Sequence, residues 1–129
     1  MEMNIALDTN AYSDFMRGDP GRVQIVRAAR HLHLPLMVLA ELRAGFAAGS
    51  QKSTNAANLQ RFIGSSRVSL LLPDEQTTHH YAQLYLQLRN KGVAIPINDL
   101  WIAALVVQNN LVLCTSDAHF QHLPQVVKC

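Results

Sequence analysis

Cysteine is nearly absent, acidic residues are few, and no long hydrophobic run occurs. The two cysteines, Cys114 and Cys129, make no metal spacing. Cys114 lies within an apolar run, so two free thiols in a reducing cytoplasm are expected. No apolar stretch approaches the roughly 18 residues a membrane span needs. The short run Asn4 to Leu7 ends at once at Asp8, so no signal peptide is expected. Internal repeats, low-complexity tracts and long linkers are missing, which leaves residues 1–129 as a single expected domain. Gly18 and Gly21 do not follow a strand in the way a phosphate loop requires. There is no G-x-S-x-G elbow for a serine hydrolase. A phospho-acceptor receiver would carry paired acids after its first strand, where this chain offers Asp8 followed by Thr9 and Asn10. The formal net charge of +2 permits a polyanionic partner without arguing for one.

What is present is an apolar fraction of 49% with 16% charged residues, the composition of a folded globular chain. Short apolar runs alternate with helical patterns. Strands are expected at Asn4–Leu7, Leu34–Val38, Val68–Leu72 and Leu111–Thr115, with a short edge strand at Val126–Val127. A short helix follows Asp8-Thr9-Asn10. Asp19-Pro20 opens a second helix, running to about Arg30, with a capping Asp and Pro at the first position. Leu39, Leu42, Arg43 and Phe46 continue the pattern to Gly49, and Ser53 opens another helix ending near Gly64. Asp74 starts the clearest helix, with Tyr81, Leu84, Tyr85 and Leu88 on one face. Ala118–His122 forms a single turn. Strands alternating with helices imply an α/β fold with a parallel sheet covered on both faces.

The chain is organised around Ile95 to Leu105. The run Ile102 to Val107 is apolar around the whole helical wheel, which marks a buried helix. At its mouth sits one carboxylate, Asp99, beside Asn98. A dry, unpaired carboxylate there would cost several kcal/mol. Asp99 therefore either caps the helix or faces a wet cleft and shares a cation with other acids. Nine residues are acidic, and their positions separate them. Asp19 and Asp74 fit helix caps, and Glu2, Asp14 and Glu75 fit solvated surface. Asp8 ends the first strand, Glu41 lies a turn past the second, Asp99 follows Ile95-Pro96-Ile97, and Asp117 follows the fourth strand. In a right-handed parallel sheet these four reach one rim. Gathered there they raise one another's pKa, and a divalent cation relieves the conflict. Oxygen ligands favour Mg²⁺ or Mn²⁺. Thr9, Asn10, Asn98, Thr115 and Ser116 are placed to orient the carboxylates. His79 and His80 read as surface, His31 and His33 as structural residues flanking a strand, and His119 as close enough to Asp117 to reach the cleft.

Four motifs in order, Leu7-Asp8-Thr9-Asn10, Ala40-Glu41-Leu42-Arg43-Ala44-Gly45, Ile97-Asn98-Asp99-Leu100-Trp101-Ile102-Ala103-Ala104 and Thr115-Ser116-Asp117-Ala118-His119-Phe120, resemble the PIN-domain family. Within it they look most like the VapC-type toxins of type II toxin–antitoxin pairs. The resemblance spans essentially the whole chain. It implies a three-layer α/β/α sandwich around a mostly parallel sheet of four to five strands. It also implies a metal-dependent endoribonuclease, with Mg²⁺ as cofactor and Mn²⁺ as substitute. By position it carries the catalytic quartet onto Asp8, Glu41, Asp99 and Asp117, with Asp8, Asp99 and Asp117 as metal ligands. The supporting amide falls on Asn10 and the supporting hydroxyl on Thr115. It further implies a homodimer and a small antitoxin covering the active-site groove. RNA phosphates would be met by Arg43 and Arg17, or by the Arg22, Arg27 and Arg30 group. A PIN-fold nuclease acting on DNA is the nearest competing reading, and the small size speaks against it. A non-catalytic module with an acid-rich pocket is another, and the intact quartet speaks against that.

Overall fold

The computed structural model describes residues 3–129; the expectation for Glu2 lies outside them. The first strand, β1 (Asn4–Leu7), buries its last three residues. It stops where Asp8 turns back on the amides that follow. Asp8 Oδ1 accepts from Ala11 N at 2.8 Å and starts α1 (Thr9–Met16), satisfying a donor the helix cannot pair internally. Gly18, at φ 81°, supplies the left-handed turn that leads into α2 (Pro20–Ala28). There Asp19 caps through Arg22 N at 3.0 Å, as expected. The helix stops short of Arg30, whose N–H goes to Met3 O at 2.8 Å.

The second strand corrects the expected boundary. β2 covers His31–Pro35 rather than Leu34–Val38, so His31 and His33 lie within the strand and do not flank it. Leu32 and Leu34 are buried while the two histidines are half-exposed on the opposite face, a period-2 alternation. Pro35 biases Leu34 toward extended backbone, and α3 (Leu36–Ala48) begins directly after it, taking Met37 and Val38. The remaining elements are α4 (Lys52–Ile63), β3 (Val68–Leu71), α5 (Glu75–Asn90), α6 (Ile97–Gln108), β4 (Val112–Cys114) and a 3-10 turn at Ala118–His122. Asp74 and Thr77 close a reciprocal capping box at the head of α5. On that helix Tyr81, Leu84 and Leu88 pack inward while Tyr85 is exposed. The expected edge strand at Val126–Val127 is reduced to one parallel bridge, Leu113 to Lys128.

Four strands form one parallel sheet in the order β3-β2-β1-β4. Parallel neighbours need crossovers, and right-handed ones place α1–α4 on one face and α5–α6 on the other, giving the three layers expected. Tyr12 of α1 meets Phe62 of α4 edge-on at 5.1 Å. Tyr81 of α5 leans on Trp101 of α6 at 4.6 Å. Ile102 to Val106 of α6 are all essentially buried, as their unbroken apolar run required. The order in which strands are added across the sheet reverses between β1 and β4, and the crevice outside the carboxyl ends of strands at such a switch point is where α/β sheets bind ligands. Asp8 follows β1 and Asp117 follows β4 at that point. Among the described residues no helix is long and apolar enough to cross a membrane.

Candidate active site

Asp8, Thr9, Asn10, Glu41, Asp99, Ile102 and Asp117 line one cleft of about 100 Å³. The residues that build it come from the ends of β1 and β4 and from α1, α3 and α6. Asp8 is fixed at both oxygens: Oδ1 by the Ala11 amide and Oδ2 by the Thr115 hydroxyl. That hydroxyl also accepts from Asp117 N at 3.0 Å, so one threonine ties the two acids together across adjacent strands. Asp117 Oδ1 accepts from His119 N at 2.9 Å and opens the 3-10 turn. Asp99 is the third residue of α6, whose N-terminal flank is Pro96 with no side-chain cap. Of the two arrangements open to Asp99, the structure therefore takes the cleft. Glu41, half-buried on α3, accepts a long bond from Asn98 Nδ2 at 3.4 Å.

His119 lies between two of the acids. Its Nδ1 is 2.7 Å from Asp99 Oδ2 and 3.0 Å from Asp117 Oδ1. Its two-residue distance from Asp117 is the one sign of this legible in the chain, because the turn that swings the ring back carries no periodicity.

Electrostatically the cleft holds more negative charge than its surroundings stabilise. Burial pushes Asp8 above the usual carboxyl value; the Thr115 and Ala11 hydrogen bonds and the Arg22 charge act against it, and Asp117 adds to it. Burial also raises Glu41, with further push from Asp99 and Asp8. Asp99 is raised by burial and by Asp117, and is relieved in part by its bond to His119. His119 in turn is raised, first by the bond to Asp99 and then by Asp117. Buried carboxylates crowded by others disfavour ionisation, and a cation would supply the opposing charge.

The donor set fits a hard divalent cation. Asp99, Asp117 and His119 each offer an atom within 4.8 Å of the others, and Asp8 is linked to Asp117 through Thr115. The hydrogen bonds on Asp8 leave lone pairs free on both oxygens. The Thr9 hydroxyl is buried on the cleft wall without a hydrogen-bond partner among the described residues. It is near enough to draw the Glu41 pKa down, though no bond of full geometry joins them. The carboxylate oxygens of this set suit Mg²⁺ or Mn²⁺.

Other expected residues scatter. Asn10 lines the cleft, while Ser116 is exposed beside it. Arg43 lines a separate hollow with Phe46 and Lys52. Arg17 lines another with Tyr12 and Asn58, and pairs with Asp14 at 2.5 Å. Arg22 turns inward and donates to Cys114 Sγ at 3.0 Å, so it leaves the group of expected phosphate contacts.

Known proteins carry the same fold and sequence pattern. The family described as PIN domain matches residues 5–126. Ribonuclease VapC1 of Haemophilus influenzae is 33% identical over 122 residues, covering 91% of this chain and 90% of that protein. The plasmid stability protein StbB of Pseudomonas syringae is 31% identical over 121 residues, covering 88% and 87%. In the crystal structure of VapBC2 from Rickettsia felis bound to a DNA fragment from its promoter, one chain superposes with a TM-score of 0.88 at 25% identity, covering 98% of each. With the PIN match over nearly its whole length and relatives of this kind, the chain belongs to the PIN-domain family and to its VapC group.

Proposed function

We propose that this protein is a toxin endoribonuclease that hydrolyses phosphodiester bonds in structured RNA, such as transfer or ribosomal RNA. Its hydrolysis depends on Mg²⁺, with Mn²⁺ as substitute. The observation that carries the reading is the convergence of Asp8, Glu41, Asp99 and Asp117 on one cleft, with three of the four held above the usual carboxyl range. The relatives named as ribonucleases support the same reaction.

In this reading Asp8, Asp99 and Asp117 hold the cation. A bound cation supplies Lewis acidity: it makes water nucleophilic at neutral pH and offsets charge developing on the phosphoryl oxygens. Glu41, half-buried with a raised pKa, takes the proton from the attacking water, a role suited to a base tuned toward neutrality. Asn98 holds the Glu41 carboxylate and Asn10 lines the approach. Thr115 fixes Asp8 and Asp117 relative to each other. His119 keeps Asp99 and Asp117 at a common separation. Hydrolysis by water leaves 5′-phosphate and 3′-hydroxyl ends. The acids repel the RNA backbone, so binding falls to cations outside the cleft, and Arg43 and Arg17 contact flanking phosphates.

The partner is a small antitoxin lying over the cleft, and the chain works as a homodimer in the cytoplasm. A solved relative described as a member of the VapBC family of toxin–antitoxin systems supports the antitoxin. The test is incubation of the purified, antitoxin-free chain with transfer and ribosomal RNA in Mg²⁺, Mn²⁺ or chelator, beside Asp99→Asn. Discrete fragments that require metal and disappear in the variant are expected. RNA left intact with either metal would refute the activity.

A further inference from the structure

At the end of β4, two free thiols lie on opposed residues. The bridge from Leu113 to Lys128 sets Cys114 opposite Cys129 across a parallel pairing. The main chain holds that register: Cys129 N donates to Leu113 O at 2.9 Å, and Thr115 N to Cys129 O at 3.4 Å. Opposed partners of a parallel pair point to one face at the interstrand spacing of about 4.8 Å. That lies within the roughly 4.4–6.8 Å between Cα atoms that a disulfide accepts. Both thiols are free, and each lies close enough to shift the other's pKa. Arg22 Nη1 reaches both residues, at 3.0 Å from Cys114 Sγ and 3.4 Å from Cys129 O.

The two cysteines differ in access. Cys114 is fully buried and Cys129 is half-exposed, so a solvent-borne reagent meets Cys129 first. The neighbouring Cys114 thiol and the Arg22 charge draw the Cys129 thiol down to about 7, while Cys129 and burial push Cys114 up. An accessible thiol near a guanidinium, paired across a strand register with a buried second thiol, is the arrangement of an attacking and a resolving cysteine.

We propose that Cys129 and Cys114 are a reversible redox pair in which a peroxide oxidises Cys129 and Cys114 then closes an intrachain disulfide. The Cys129 thiolate attacks one peroxide oxygen and breaks the O–O bond. The sulfur becomes a sulfenic acid, and the other oxygen leaves as water after taking a proton. Cys114 sulfur then attacks the sulfenic sulfur, the S–OH bond breaks, and a second water departs with the Cys114 proton. Two thiols and one hydrogen peroxide thus give one disulfide and two waters. The ring so closed contains Asp117 and His119, and Cys114 directly precedes Thr115. The bond therefore ties the segment carrying one wall of the acid cleft to β4. The inference rests on the register at β4 and is independent of the nuclease reading.

The test uses the reduced full chain with a few equivalents of hydrogen peroxide, followed by intact mass and non-reducing peptide mapping. The expected product has lost the mass of two hydrogens and has the Cys114 and Cys129 peptides joined within one chain. Dithiothreitol reverses both changes. Its melting temperature rises by several degrees, because closing a loop restricts the unfolded chain, and Cys129→Ser shows neither change. The proposal is overturned by oxygen accumulating on Cys129 without a link, by a link between two chains, or by thiols that stay reduced while free cysteine in the same tube is oxidised.

Discussion

Replacing Thr115 by valine keeps the side-chain shape and removes one hydroxyl with two bonds. The hydroxyl donates to Asp8 Oδ2 and accepts from Asp117 N. Asp8 is only 6% exposed, so water does not readily replace the lost donor. Asp117 is half-exposed and its amide rehydrates more easily. A hydrogen bond to a charged partner contributes about 1.5–3 kcal/mol, so Thr115→Val is expected to cost about 2–3 kcal/mol at neutral pH. With a urea slope of about 1–3 kcal/mol per molar, the unfolding midpoint falls by about 1 M. The deficit depends on pH with a definite sign. Burial already raises the folded Asp8 pKa above its ordinary 3.8, and the Thr115 bond opposes that rise; removing the bond raises it further. Between the unfolded and folded pKa the native state holds more protons, so stability falls as pH rises through that window. The variant falls further than the wild type. Its deficit is full above the folded pKa and shrinks toward pH 3.8 and below. Urea titrations of both proteins in chelator, at neutral and at acid pH, measure this directly. A deficit equal at the two pH values, or under about 0.5 kcal/mol at neutral pH, would refute the account of Asp8 as a buried carboxylate held by Thr115.

Leu105 of α6 is fully buried, and Leu105→Ala is expected to lower unfolding stability by about 2–5 kcal/mol in the same titration. Burial and the neighbouring His31 hold the His33 pKa below its ordinary 6.5. The stability this represents is present above 6.5 and lost as pH falls through the folded pKa. His33→Phe should flatten the change in melting temperature over that range, and an unaltered pH profile would count against it. Asp99→Asn removes a carboxylate whose ionisation burial and Asp117 disfavour. It should raise the metal-free melting temperature while lowering RNA cleavage by at least about 100-fold. A variant that loses stability and activity together would show that Asp99 serves the fold.

The parts of the fold legible in the sequence were those with their own local chemistry. Asp19-Pro20 and Asp74 announced helix starts because caps act within three residues. Ile102 to Val107 announced a buried helix because no polar residue interrupts it. The start of β2 was misplaced for the converse reason: Leu34 to Leu39 is apolar across a strand–helix junction, and a continuous run has no period to locate the change. The acid cleft was legible because each carboxylate sits next to an element end, and parallel topology sends those ends to one rim. His119 and Arg22 were not legible in the same way. Where His119 points depends on the 3-10 turn after Asp117, and where Arg22 points depends on the bridge that brings Lys128 beside Leu113. Contacts made through long-range pairing leave no spacing in the chain.

The central claim is that Asp8, Asp99 and Asp117 together hold a divalent cation. Titrating Mn²⁺ into the wild type, Asp8→Asn and Asp117→Asn, and following free Mn²⁺ by its paramagnetic resonance, tests it most directly. The account predicts saturable binding in the wild type and a loss of at least about tenfold in affinity in each variant. Equal binding in all three proteins, or none in the wild type at millimolar Mn²⁺, would contradict it.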